Sequence, residues 1–200
     1  MTFANEDTVY AVGEKDTVIK SLDGGLTWST IGSCNLGQRY AWHGVSFWNV
    51  SRGWLVGSYG SVCVTHDGGD TWEEQHHGSV GYVPEDGDGP DAFEFFMRAV
   101  QVTGPEEVFV VGDEGHILHT VDGGVTWTQQ VSRAEQDLYT LAFVSPSIGW
   151  VGGAMGDFLL HTRDGGTTWD YQPLKEDASP TAVQQGFHLS PTAVRPRFHL

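Results

Sequence analysis

A chain of 200 residues can bury a full core without a metal or a disulfide to hold it, so one folding unit is expected. Its 27 Gly and 8 Trp, with 39% hydrophobic and only 18% charged residues, favour short strands and tight turns over long amphipathic helices. The 26 acidic and 10 basic residues leave a formal charge of −16, a field that repels phosphate backbones and anionic lipid, which excludes nucleic acid as a partner class.

The opening MTFANEDTVY has neither the basic start nor the apolar run of a signal peptide, and no stretch is apolar for the length a bilayer requires. On the sequence as given, a cytoplasmic protein with no membrane span is expected. The first unit runs over residues 1–44. After the strand-like run ending at Gly13 it carries the octet SLDGGLTW, with Ser21, Asp23, Gly25, Thr27 and Trp28 at its defining positions. Cys34 follows, and with Cys63 it makes up the cysteine complement; no metal spacing links the two, and both are read as free, buried thiols.

The second unit, residues 45–97, repeats the first. VSFWNVSRGWLVG from Val45 aligns without gaps to Met1–Gly13, and THDGGDTW supplies Thr65, Asp67, Gly69, Thr71 and Trp72. Alternating and β-branched runs place strands at 44–48, 53–57, 61–65 and 71–75. An inserted stretch then contains His76, His77 and the acids Glu85, Asp86, Asp88 and Asp91. Its EDGDGPD fails a calcium-loop template because Pro90 occupies a ligand place, so a solvated loop is expected.

The third unit, residues 98–138, opens on VQVTGPEEVFVVG and carries Thr120, Asp122, Gly124, Thr126 and Trp127. The fourth, residues 139–175, opens on LAFVSPSIGWVGG and carries Thr162, Asp164, Gly166, Thr168 and Trp169. Residues 176–200 read as an incomplete fifth repeat, in which GFHLSP echoes LAFVSP. The four aspartates are 44, 55 and 42 residues apart, close to the length of a four-stranded propeller blade. The expectation is an all-β, propeller-like array of about four antiparallel blades, closed as a compact ring or open and completed by a second chain.

In each octet, Asp accepts hydrogen bonds within its own turn, Gly supplies positive φ, Ser or Thr closes the loop, and Trp covers the hairpin. Four equivalent copies cannot share one catalytic centre, so these residues are structural. Removing Asp67 or Asp122 is expected to strand buried turn amides. His119 and His161 match Lys20 and Val64 in the other copies, which reads as a tolerant strand position.

S/T-x-D-G-G-x-T-W preceded by G-W-x-V-G resembles the Asp-box, or BNR, repeat superfamily. GWLVGSYGSVCVTHDGGDTW and its partner runs are most similar to the photosystem II stability and assembly factor family. That resemblance implies a seven-bladed propeller and a non-catalytic scaffold in photosynthesis, with a protein partner such as a photosystem component, no cofactor or metal, and thylakoid association where an N-terminal targeting segment is missing. Two alternatives stay open: a carbohydrate-active Asp-box glycosidase of sialidase-like kind, and a truncated repeat protein without independent activity. A sialidase needs an arginine cluster, and no arginine here stands in an R-I-P-like motif. No catalytic residue is assigned. The unique positions entering the innermost strands, His43, Arg98 and Tyr139, with Arg39 and Trp42 just upstream of the first, are the expected partner-binding residues.

Overall fold

The computed structural model describes residues 1–37, 40–75, 96–154 and 159–173. Arg39, the His76 and His77 stretch with its acids, and the GFHLSP repeat lie outside the described residues. Within them the chain forms four separate four-stranded antiparallel sheets, each in sequence order. Blade 1 comprises β1 (Thr2–Phe3), β2 (Val9–Gly13), β3 (Thr17–Ser21) and β4 (Ser29–Ile31). Blade 2 comprises β5 (Trp42–Phe47), β6 (Gly53–Gly57), β7 (Val62–Thr65) and β8 (Glu73–Glu74). Blade 3 comprises β9 (Met97–Val102), β10 (Val108–Gly112), β11 (Ile117–Thr120) and β12 (Thr128–Gln130). Blade 4 comprises β13 (Leu138–Ser145), β14 (Ile148–Gly153), β15 (Leu159–Thr162) and β16 (Asp170–Tyr171). The strands stand as an arc, and the propeller is not closed, which removes the compact ring.

The core is a set of seams between successive blades. Leu55, Phe47 and Tyr10 fill the first, Trp54, Val110 and Met97 the second, and Ile117, Leu138 and Val151 the third. Every residue of β6 and β10 is buried, because each middle blade is covered on both faces. Such strands read as continuous apolar runs, GWLVG and VFVVG, where a one-sided strand would alternate. The inner strands are tied by side chains: Gln101 on β9 accepts from the Phe143 N–H at 2.7 Å and donates to its carbonyl at 3.1 Å.

The octets form the β3–β4 type hairpins, and all four share one bonding pattern. In blade 3, Asp122 accepts from the Thr120 hydroxyl, the Thr126 N–H and the Thr126 hydroxyl at 2.8, 2.9 and 2.6 Å. Hydrogen bonds from the Thr27, Thr71 and Thr126 hydroxyls, then from the same residues' N–H groups, bring Asp23, Asp67 and Asp122 from 3.8 down to about 2. The buried turn amide is another matter: the Gly69, Gly124 and Gly166 N–H groups donate to the Thr65, Thr120 and Thr162 hydroxyls at 2.8, 2.9 and 2.8 Å. The expectation that aspartate holds the buried amides is corrected accordingly; the hydroxyl does so, and the carboxylate organises the exposed side of the turn.

Successive blades meet through a recurring joint. The carbonyl of the first box glycine accepts from the blade before it. Gly68 receives Tyr10 Oη at 2.8 Å and Lys20 Nζ at 2.9 Å, Gly123 receives Gln75 Nε2 at 2.8 Å, and Gly165 receives Gln130 Nε2 at 3.3 Å. Rings stack across the same joints, Tyr10 on Phe47 at 3.8 Å and Phe109 on Phe143 at 4.1 Å. The position of Lys20, Val64, His119 and His161, read as tolerant, lies in these joints. Each residue there is the direct cross-strand partner of the second-strand aromatic, Tyr10, Trp54, Phe109 or Trp150.

Cys34 and Cys63 form a disulfide, with Cα atoms 6.5 Å apart, in place of the two free thiols expected. Cys34 lies in the irregular stretch after β4, which crosses onto β7 of the next blade. Nothing in strand periodicity encodes that crossing.

Candidate functional site

Three of the four first strands carry one extra residue at the same place. On β5, Trp42 pairs with Gly57 and Gly44 with Val56, which leaves His43 between them. On β9 the flanking pairs are Met97 with Gly112 and Ala99 with Val111, and the extra residue is Arg98. On β13 they are Leu138 with Gly153 and Thr140 with Gly152, and the extra residue is Tyr139. A β-bulge kinks its strand and re-aims a side chain, so three aligned bulges turn three unlike side chains out of the ladder at one end of the inner strands.

Arg98 is the centre of the group. Its Nε donates to Asp113 Oδ1 at 2.7 Å, and its guanidinium lies 4.5 Å from the Phe96 ring centroid and 5.3 Å from that of Tyr139. Asp113, buried, also accepts from the Phe96 N–H at 3.0 Å through Oδ2, which fixes both partners of the arginine. His43 meets the edge of Phe96 at 5.3 Å. Partial desolvation by its neighbours first, then the Arg98 charge, lowers the His43 pKa against the opposing effect of Asp113. Tyr139 is exposed and donates its hydroxyl to Asp137 Oδ2 at 3.3 Å.

The structure thus brings His43, Arg98 and Tyr139 to one cluster and separates Trp42 from it. Trp42 is buried in the first seam, and its Nε1 donates to Asp16 Oδ1 at 2.8 Å, a bond that ties blade 2 to blade 1. Phe96 and Asp113 were not singled out in the sequence. Asp113 follows the glycine that ends the second strand, where the other units have Glu14, Ser58 and Ala154, and that difference is the signal that could have found it.

Chemically the cluster offers a guanidinium held against the Phe96 and Tyr139 rings, with the Tyr139 phenol exposed and the His43 imidazole at Phe96. It suits a peptide or another carbonyl-rich partner, since planar cations and rings anchor interfaces. Among the described residues no group of three or more His, Cys, Asp or Glu side chains could hold a metal ion.

Residues 33–134 match the family model described as photosynthesis system II assembly factor YCF48. The photosystem II assembly lipoprotein Ycf48 of Synechococcus sp. (strain CC9902) is 33% identical over 85 residues, covering 42% of this chain and 22% of its own length. The photosystem II stability/assembly factor HCF136, chloroplastic, of Oryza sativa subsp. japonica is 27% identical over 127 residues, 62% of this chain and 27% of its own. Among solved structures, YCF48 bound to D1 peptide superposes with a TM-score of 0.66 at 23% identity, over 88% of this chain and 52% of that one. An ancestral GH74 enzyme superposes with a TM-score of 0.65 at 14% identity, over 89% of this chain and 24% of that one, which is a likeness of fold. The chain therefore spans about a quarter of the length of these curated relatives and about half of the solved YCF48. With its family model matched across the second and third blades, where two of the three bulges lie, this chain belongs to the Ycf48 family of photosystem II assembly factors.

Proposed function

We propose that the chain is a non-catalytic, protein-binding scaffold of the photosystem II assembly type, and that it holds a photosystem polypeptide at the His43, Arg98 and Tyr139 cluster. The observation that carries this reading is the alignment of three bulges, which presents three different interface-type side chains at one end of the arc. Support comes from the family match and from a relative of the same fold whose structure holds a D1 peptide. The Cys34–Cys63 bridge favours an oxidising compartment over the cytoplasm, in keeping with relatives described as a lipoprotein and as chloroplastic. No helix among the described residues is long and apolar enough to cross a membrane.

Fluorescence anisotropy with a labelled D1 peptide tests the site. Tyr139→Ala and His43→Ala, both at exposed positions, should each weaken binding by about tenfold or more while leaving the melting temperature in place. Binding that is indifferent to both would remove the cluster as the site. Turnover of a fluorogenic glucoside or sialoside, abolished by one carboxylate substitution, would replace the scaffold reading with an enzymatic one.

A further inference from the structure

The joint between blades 3 and 4 turns on one amide. Trp169 Nε1 can only donate, and it reaches Gln130 Oε1 at 3.0 Å. That bond orients the Gln130 amide, whose Nε2 then donates to the Gly165 carbonyl and faces His119 Nδ1, both at 3.3 Å. An amide NH2 donates, so Nδ1 accepts and His119 carries its proton on Nε2, which donates to Glu107 Oε1 at 3.1 Å. The ring is therefore neutral, and a second proton on it would point at the Gln130 NH2.

The surroundings favour that neutral form. His119 lies flat on Phe109 at 4.0 Å, and Phe109 stacks on Phe143 of blade 4 at 4.1 Å. Among the described residues, Glu107, on the turn between β9 and β10, is the charged group that faces the imidazole; β10 presents Phe109, β12 presents Gln130, and the blade 4 box presents a carbonyl and an indole. Desolvation lowers the His119 pKa and outweighs the Glu107 hydrogen bond and charge, which raise it. With the folded value below the ordinary 6.5, the joint is at full strength above 6.5 and weakens as pH falls below it.

The other two joints lack this feature. At the second, Gln75 Nε2 donates to the Gly123 carbonyl at 2.8 Å and its Oε1 accepts from Trp54 Nε1 at 3.1 Å, but the third-strand residue is Val64. At the first, the Gly68 carbonyl is held by the Tyr10 phenol and the Lys20 ammonium, neither of which gains a proton in acid.

We infer that His119 makes the blade 3–blade 4 joint an acid-sensitive latch: when the imidazole takes up its second proton, the Gln130 bonds to Gly165 and Trp169 are given up together. Turning the amide over would offer Oε1 to His119 but would set Nε2 against the Trp169 N–H, so no orientation serves all three partners. The bonds between Gln101 and Phe143 hold no titrating group, so blade 4 tilts about them instead of detaching. Arg98 and Tyr139 stand on the two sides of this joint, with 5.3 Å from guanidinium to ring centroid, and a tilt parts them. That acid then weakens the hold on a peptide rests on the function proposed above.

Hydrogen–deuterium exchange on the full chain at about pH 7.5 and about pH 5.5, with rates divided by those of unprotected peptides, reads the latch with no peptide present. Opening of β14 and β15 should rise by about threefold or more at the lower pH, beyond any change in β6 and β7. His119→Val, which copies Val64, should abolish that difference whatever it costs in stability. Should that variant fail to fold, Gln130→Glu replaces it: a carboxylate accepts from both the imidazolium and Trp169, so the acid response should shrink or reverse. Blade 4 protection that is equal at both pH values in the wild type overturns the inference, as does a pH response that these variants leave unchanged. D1-peptide anisotropy at the same two pH values tests the coupling separately, and the loss of affinity in acid should be smaller in His119→Val. An exchange response without that difference removes the link to the cluster, and a peptide that binds at neither pH counts against the cluster alone.

Discussion

The threonine that opens a box and the aspartate two residues later divide the work of the turn. The Thr120 hydroxyl accepts from a buried amide, that of Gly124, and donates to Asp122. Thr120→Val keeps the shape and leaves that N–H without a partner, which should cost about 1 to 3 kcal/mol in chemical denaturation. Asp122 instead binds the exposed Thr126 N–H and hydroxyl, and its effect shows in pH dependence. The folded value, about 2, lies below the ordinary 3.8, so the carboxylate contributes its full stabilisation above 3.8 and loses it as pH falls through 2. Asp23 and Asp67 behave alike, so the melting temperature should drop steeply across that window. Changing Asp23, Asp67 and Asp122 together to Asn should flatten the drop; a profile that keeps its steepness would place the acid sensitivity elsewhere.

Between blades, the second glycine of each box tests how much of the stability lies in the joints. Gly25 and Gly124 have φ of +96° and +90°, so alanine carries a similar backbone strain at both. At Gly124 the added methyl also collides with Gln75, which donates to the Gly123 carbonyl. Gly124→Ala should therefore destabilise more than Gly25→Ala by about 1 to 3 kcal/mol, and equal losses would show that the joint contributes little. The blades were legible because the box, its spacing of about one blade and the apolar runs before it all encode local geometry. Alignment also reached His43, Arg98 and Tyr139, since equivalent positions converge whatever residue fills them. The salt-bridge partner Asp113 and the burial of Trp42 depend on what the neighbouring strand or blade presents, and a repeat read one unit at a time does not carry that. The Cys34–Cys63 bridge was missed for the same reason, because it joins an irregular crossing to the next blade.

At the scale of the whole arc, that bridge closes a loop of 29 residues across the first seam, with Cys63 fully buried. By the chain-entropy account a loop of that length contributes about 3 to 4 kcal/mol. Cys34→Ser or reduction should lower the denaturation midpoint correspondingly, and an unchanged midpoint under complete reduction would mean that the seam holds without it. The complete burial of β6 and β10 has a different consequence. A structure in which each unit is supported only by its neighbours opens from its ends, and amide protons report the opening one residue at a time. Deuterium should enter β1 and β16 within the fastest phase, while Leu55 and Val110 exchange only when both flanking seams have parted. The slowest protons of the molecule then sit in the two middle blades, and their exchange rate measures how often the arc comes apart rather than how often a single blade frays.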